Sequence, residues 1–142
     1  MSIFIGVTLA IIIGGFATII GFDRERGFYP FLMIVIASIY VLFSILDGTP
    51  KTMYVELFVM FVFSAVSIVG FKKNAWIIVG ALVMHGLFDA FHGDLIINQG
   101  VPSWYRSFCI SYDIVAAGYL AIRLTYSGSQ KKLRSTNLLS RD

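Results

Sequence analysis

Five long apolar stretches, each near the length that spans a bilayer's hydrocarbon core, follow one another with only short polar connectors between them. A helix needs about 20 mostly apolar residues to cross that core. In lipid each spanning segment must satisfy its own backbone N–H and C=O groups, which a helix does and an isolated strand does not. The stretches cover 3–22, 28–46, 55–71, 75–92 and 103–126, so the sequence predicts an all-α, polytopic bundle of five transmembrane helices. They nearly exhaust the 142 residues and leave a polar, basic tail at 127–142, where disorder is expected. Composition agrees: 13% of residues are charged, against about 25% in soluble domains. The lipid bilayer is thus the first expected partner.

The connectors carry turn chemistry. Asp23-Arg24-Glu25-Arg26-Gly27 closes the first stretch, Asp47-Gly48-Thr49-Pro50-Lys51 the second, and Lys72-Lys73-Asn74 makes a tight hairpin after the third. A longer loop, 93–102, precedes the fifth. The first stretch reads as a helix rather than a signal peptide, because it starts without basic residues and is long for a signal's apolar region. Gly6, Ala10, Gly14 and Ala17 fall near one of its faces, the small-residue pattern that lets helices pack closely in lipid. Ordinary packing explains them, and such glycines also make a homo-oligomer an open expectation.

Lys and Arg gather on the cytoplasmic side of membrane proteins. With the N-terminus outside and the C-terminus in the cytoplasm, Arg24, Arg26, Lys72, Lys73, Arg123, Lys131, Lys132, Arg134 and Arg141 lie inside, and only Lys51 and Arg106 outside. The basic residues flank apolar stretches rather than forming a basic face with interleaved aromatics, so no nucleic-acid partner is expected. A single cysteine, Cys109, excludes a disulfide within the chain. No P-loop or dinucleotide fingerprint occurs, so no nucleotide is expected.

Chemistry concentrates in the last two stretches. His85, Asp89 and His92 stand at i, i+4 and i+7, sharing a helix face within about 60°. Arg106, Cys109 and Asp113 form a similar stripe on the fifth helix. Ionisable groups inside a membrane are costly unless they face protein or water, so both stripes should face inward. Measured from His92 and from Trp104, His85 and Asp113 lie about 10 and 13 Å deep, which lets them meet. With the N-terminus outside, this polar pocket lies in the outer half, lined or supported by His92, Arg106, Glu56, Tyr40 and Tyr112.

Three uses of such a pocket remain open. His85, Asp89 and Asp113, with Cys109, are ligand types that zinc or another divalent transition metal accepts. A metal there would suit metal-assisted hydrolysis at the membrane surface. Alternatively the same residues form a charge network in which Arg106 and the histidines satisfy the two aspartates, holding helix register. A third use is a proton or ion path in a non-enzymatic transport or helper protein. Haem is not expected, because two histidines on one helix face cannot bracket an iron from opposite sides.

The run His85-x-x-x-Asp89-x-x-His92, followed by Cys109-x-x-x-Asp113, resembles a family of small bacterial membrane proteins of unknown function. The resemblance covers about 77–117. Where that family carries a second cysteine before the aspartate this chain has Tyr112, and where it often carries a proline after it this chain has Ile114. It implies a small helical bundle in a bacterial inner (plasma) membrane and carries no activity.

Overall fold

A computed structural model describes residues 1–22 and 25–139, with side chains through Ser129. Five helices follow in order: α1 (Ser2–Ile20), α2 (Phe28–Asp47), α3 (Pro50–Lys72), α4 (Trp76–Leu95) and α5 (Tyr105–Leu139). All five contain a segment long and apolar enough to cross a membrane, and no strand occurs among the described residues.

The helix ends follow from local chemistry. Gly21 and Gly48 close α1 and α2 with φ of 83° and 72°, a left-handed conformation that costs a residue without Cβ little. Pro50 occupies the first turn of α3 after an extended Thr49. Proline suits that position because its missing N–H is unpaired there anyway. Asn74 caps the α3–α4 hairpin by accepting the Trp76 N–H at 3.0 Å.

Three boundaries differ from the sequence-based expectation. Helix α3 starts at Pro50 rather than near 55, because the proline opens the helix before the apolar residues begin. Helix α4 continues past His92 to Leu95. Helix α5 runs to Leu139, where disorder was expected from 127 onward. Polarity there marks the end of the lipid-compatible surface, but the residues after Gly128 include several good helix formers, which extend the turn already under way. Residues 140–142, including Arg141, and the connector residues Asp23 and Arg24 lie outside the described residues.

Helix α5 packs against α1 on one side and α4 on another, while α2, α3 and α4 pack on one another. Helix α1 buries only Gly6, Ala10, Gly14 and Ala17. That stripe lies on α5: a Cβ at Gly6 would collide with Ser111 Oγ and the Phe108 carbonyl, and one at Gly14 would press the Tyr119 ring at 3.1 Å. Thr18 Oγ1 and Tyr119 Oη add a hydrogen bond of 2.7 Å across the same seam. The small residues therefore serve packing within the chain.

The exterior is apolar, unlike that of a water-soluble domain, and several ionisable groups are buried. Phe4, Phe16, Phe31, Phe58 and Phe61 are exposed, whereas Glu56, His85, Asp89, His92 and Asp113 are buried. So much contiguous exposed apolar surface needs an apolar surrounding. The chain is a multi-pass membrane protein whose largely apolar core encloses a group of buried polar side chains.

Candidate functional site

Helix α4 turns one stripe toward its neighbours, and the residues on it are Ile78, Ala81, Leu82, His85, Asp89 and His92, all buried. Gly86, also buried, opens room beside this stripe: its Cα lies against α5, where a Cβ would stand 3.4 Å from Asp113 Cβ. That approach brings Asp113 to His85. Nδ1 of His85 lies 2.7 Å from Asp113 Oδ2 and 3.5 Å from Asp89 Oδ2. His85 is 1% exposed, and Asp89 and Asp113 are each 0% exposed. The three residues offer ligand atoms that all lie within 4.8 Å of one another.

Aromatic rings wall this group. Phe63 of α3 meets the His85 ring edge-on, with centroids 4.8 Å apart, and Tyr40 of α2 and Phe88 of α4 lie near 6 Å. Four helices thus surround the group. Inside the wall, His85 Nε2 and Asp113 Oδ1 are buried without a hydrogen-bond partner among the described residues, and Asp89 faces the His85 ring and the Tyr40 hydroxyl. A buried polar atom left unpaired costs on the order of 1–3 kcal/mol. Gathered with three ligand-type side chains, such atoms make this group a candidate metal site.

A second polar layer lies two helical turns along α4. His92 Nε2 is 2.7 Å from Glu56 Oε1, and Asn98 donates to that same oxygen at 3.2 Å. Tyr40 joins the layers: its ring stacks on His92 at a centroid distance of 4.1 Å and an angle of 21°. The loop after α4 covers this end. Asn98 Nδ2 also reaches the Tyr40 carbonyl, the Gln99 N–H donates to Asp47 Oδ1 at 3.0 Å, and Thr52 Oγ1 donates to the Ile97 carbonyl. A cavity of about 220 Å³ under the loop touches His92 and Arg106.

The sequence-derived residues fall into three groups. His85, Asp89 and Asp113 converge. His92, Glu56 and Tyr40 form the neighbouring layer. Cys109, Arg106 and Tyr112 do not join the convergent group. Cys109 stands outside the convergent group and packs with Tyr40 and Tyr105. Arg106 makes no ion pair with Asp89 or Asp113; its guanidinium lies over Gly93. Seven residues along a helix are about 10 Å of axial distance, more than the side chain covers toward Asp113, so it extends the other way. Tyr112, one residue from Asp113 and about 100° around the helix, faces the α1 side with Ala10 and Ala116.

Two contributors were not among the sequence candidates. Asn98 is a loop residue whose partner lies 42 positions away, which no local pattern shows. Phe63 is one of 13 phenylalanines and carries no signal of its own. The Glu56–His92 pairing was not read either, because a third helix starting near 55 leaves Glu56 as an end residue.

Comparison with protein families, curated proteins and solved structures finds no match to this chain.

Proposed function

We propose that this membrane protein holds one divalent transition-metal ion, zinc in the first instance, on His85, Asp89 and Asp113. The observation that carries the reading is a fully buried histidine and two fully buried carboxylates, converging with His85 Nε2 and Asp113 Oδ1 unpartnered. Charge supports it. Two carboxylates and a neutral imidazole balance a divalent ion, whereas the three alone leave two acids with one histidine between them in a medium where unpaired charge is expensive. Distance supports it too. Ligands at about 2.0 Å around a tetrahedral ion stand about 3.3 Å apart, and the contacts of His85 Nδ1 with the two carboxylates, 2.7 and 3.5 Å, bracket that spacing.

Three protein ligands leave a fourth position open for water or a small polar ligand, the arrangement of catalytic rather than structural zinc. The corresponding reaction class is metal-assisted hydrolysis, with the second layer of His92 and Glu56 between the ion and the covering loop. The distribution of basic residues supports a topology with the N-terminus outside and the C-terminus in the cytoplasm, and in that topology the site belongs to the outer half of the membrane.

One observation favours a second reading. The 2.7 Å contact between His85 Nδ1 and Asp113 Oδ2 is also an ordinary charge-assisted hydrogen bond. In that reading the group is a proton-sharing network of a non-enzymatic protein and holds no ion. Metal content separates the two. Protein purified without chelator is expected to carry about one equivalent of transition metal by elemental analysis, the stoichiometry of a single site. His85→Ala or Asp113→Asn should remove most of it, and His92→Ala should remove less. Folded, metal-free wild type that takes up no added zinc would leave the proton network as the reading.

A further inference from the structure

At the opposite end of the bundle the largest of the described cavities, about 490 Å³, opens where the α1–α2 connector, the α3–α4 hairpin and α5 meet. Its volume lies within the usual range of ligand sites, about 300–1,000 Å³. Arg26, Lys73 and Arg123 line it from three separate segments, together with Glu25 among the described residues. Its walls also include Tyr29 and Pro30 in the first turn of α2, and Ala75 and Trp76 at the start of α4. The positive ends of α2 and α4 face the cavity, offset in part by the negative end of α3 at Gly70 and Phe71. The floor is apolar, built from Ile78, Leu120 and Leu124.

We infer that this cavity binds a phosphate-bearing anion. Arginine and lysine converging from different segments match the several oxygens of a phosphate, which a single surface cation does not. The surrounding helices are those that cross the membrane, so the cavity mouth lies at the lipid–water boundary. A basic pocket between membrane helices at that level suits an anionic phospholipid headgroup, with the apolar floor toward the acyl chains. A free phosphate has the same recognition chemistry. This site is independent of the proposed metal centre and shares no residue with it.

Trp76 lines the cavity, and the other tryptophan, Trp104, precedes α5 at the far end of the bundle. In a Trp104→Phe background, Trp76 fluorescence therefore reports the site alone. The protein would be titrated with inorganic phosphate in phosphatidylcholine nanodiscs, and separately compared with nanodiscs containing increasing phosphatidic acid. A saturable change with phosphate supports a soluble ligand, and one seen only with phosphatidic acid supports a lipid headgroup. Arg26→Gln with Lys73→Gln should weaken either by about tenfold or more, as loss of charge-assisted contacts does. Both side chains are exposed, so this double variant keeps the bundle packing; unchanged circular dichroism checks that it does. No saturable change with either probe, or an equal change in the double variant, would overturn the assignment.

Discussion

Helix α5 meets α1 along a seam of small residues and meets α4 along a seam of ionisable ones. On the first, Gly6 and Gly14 let backbones approach until a single added carbon would strike a carbonyl or a tyrosine ring. On the second, Gly86 leaves ordinary van der Waals room, and the contact is made by His85, Asp89 and Asp113. Lipid offers no hydrophobic drive between helices, so close packing is what holds the α1 seam. The α4 seam is comparably extensive and encloses polar atoms that lipid would not solvate. A bundle needing only stability could have used the first solution twice. That it spends buried carboxylates on the second is what directs attention there.

The largest effect should come from unbalancing the polar seam. Asp113→Leu leaves His85 beside Asp89 alone, and stranding one partner of a buried pair costs about 3–5 kcal/mol. Reversible unfolding in mixed micelles measures it, and Asp113→Asn, which keeps an acceptor, should lose clearly less. A loss below that of the Asn variant would mean the seam is held by its apolar contacts.

Next comes the small-residue seam. Gly6→Ala sets a methyl against Ser111 and the Phe108 carbonyl and should cost about 1–3 kcal/mol, as overpacking does. Gly86→Ala, on the other seam, should cost little, since its methyl meets Asp113 Cβ at 3.4 Å and alanine favours helix by up to about 1 kcal/mol. Equal losses in the same unfolding assay would erase the distinction between the seams.

The smallest effect is expected at Arg106. Sequence spacing makes it the natural partner of the aspartates, and on that basis Arg106→Leu should destabilise strongly. With its guanidinium over Gly93 instead, the substitution should change stability by no more than about 0.5 kcal/mol. A loss as large as that of Asp113→Leu would restore the charge network that includes it.

These contrasts show what the sequence could carry. Hydropathy gave the five helices because lipid imposes a length and an apolarity that residues report one by one. Helical spacing gave the His85–Asp89 stripe, and the depth count put Asp113 opposite it, since rise per residue is nearly constant. The same spacing failed for Arg106 because sharing a face does not bring two groups within reach along the axis. It failed for Tyr112 because neighbours in sequence stand about 100° apart around a helix, which turns Tyr112 toward α1. The role of Glu56 was hidden by a boundary: starting α3 near 55 leaves it as an end residue, whereas Pro50 as the first helical residue places it in the second turn, facing His92. Asn98 required the tertiary path of a loop. The tail shows the converse error, where charge marked the end of the lipid-compatible surface and not the end of the helix.

Cobalt substitution tests the central claim most directly. Cobalt(II) replaces zinc and reports its ligands through visible absorption, so binding and ligand identity are read together. Wild-type protein stripped with chelator should take up about one equivalent of cobalt, as a single zinc-type site does, and show d–d bands without a thiolate charge-transfer band. The missing thiolate band follows from Cys109 lying outside the convergent group. His85→Ala with Asp113→Asn should abolish the d–d bands, and Cys109→Ser should leave them unchanged. Folded wild type with no cobalt bands at saturating metal, or bands that survive the double substitution, would contradict a metal centre on His85, Asp89 and Asp113.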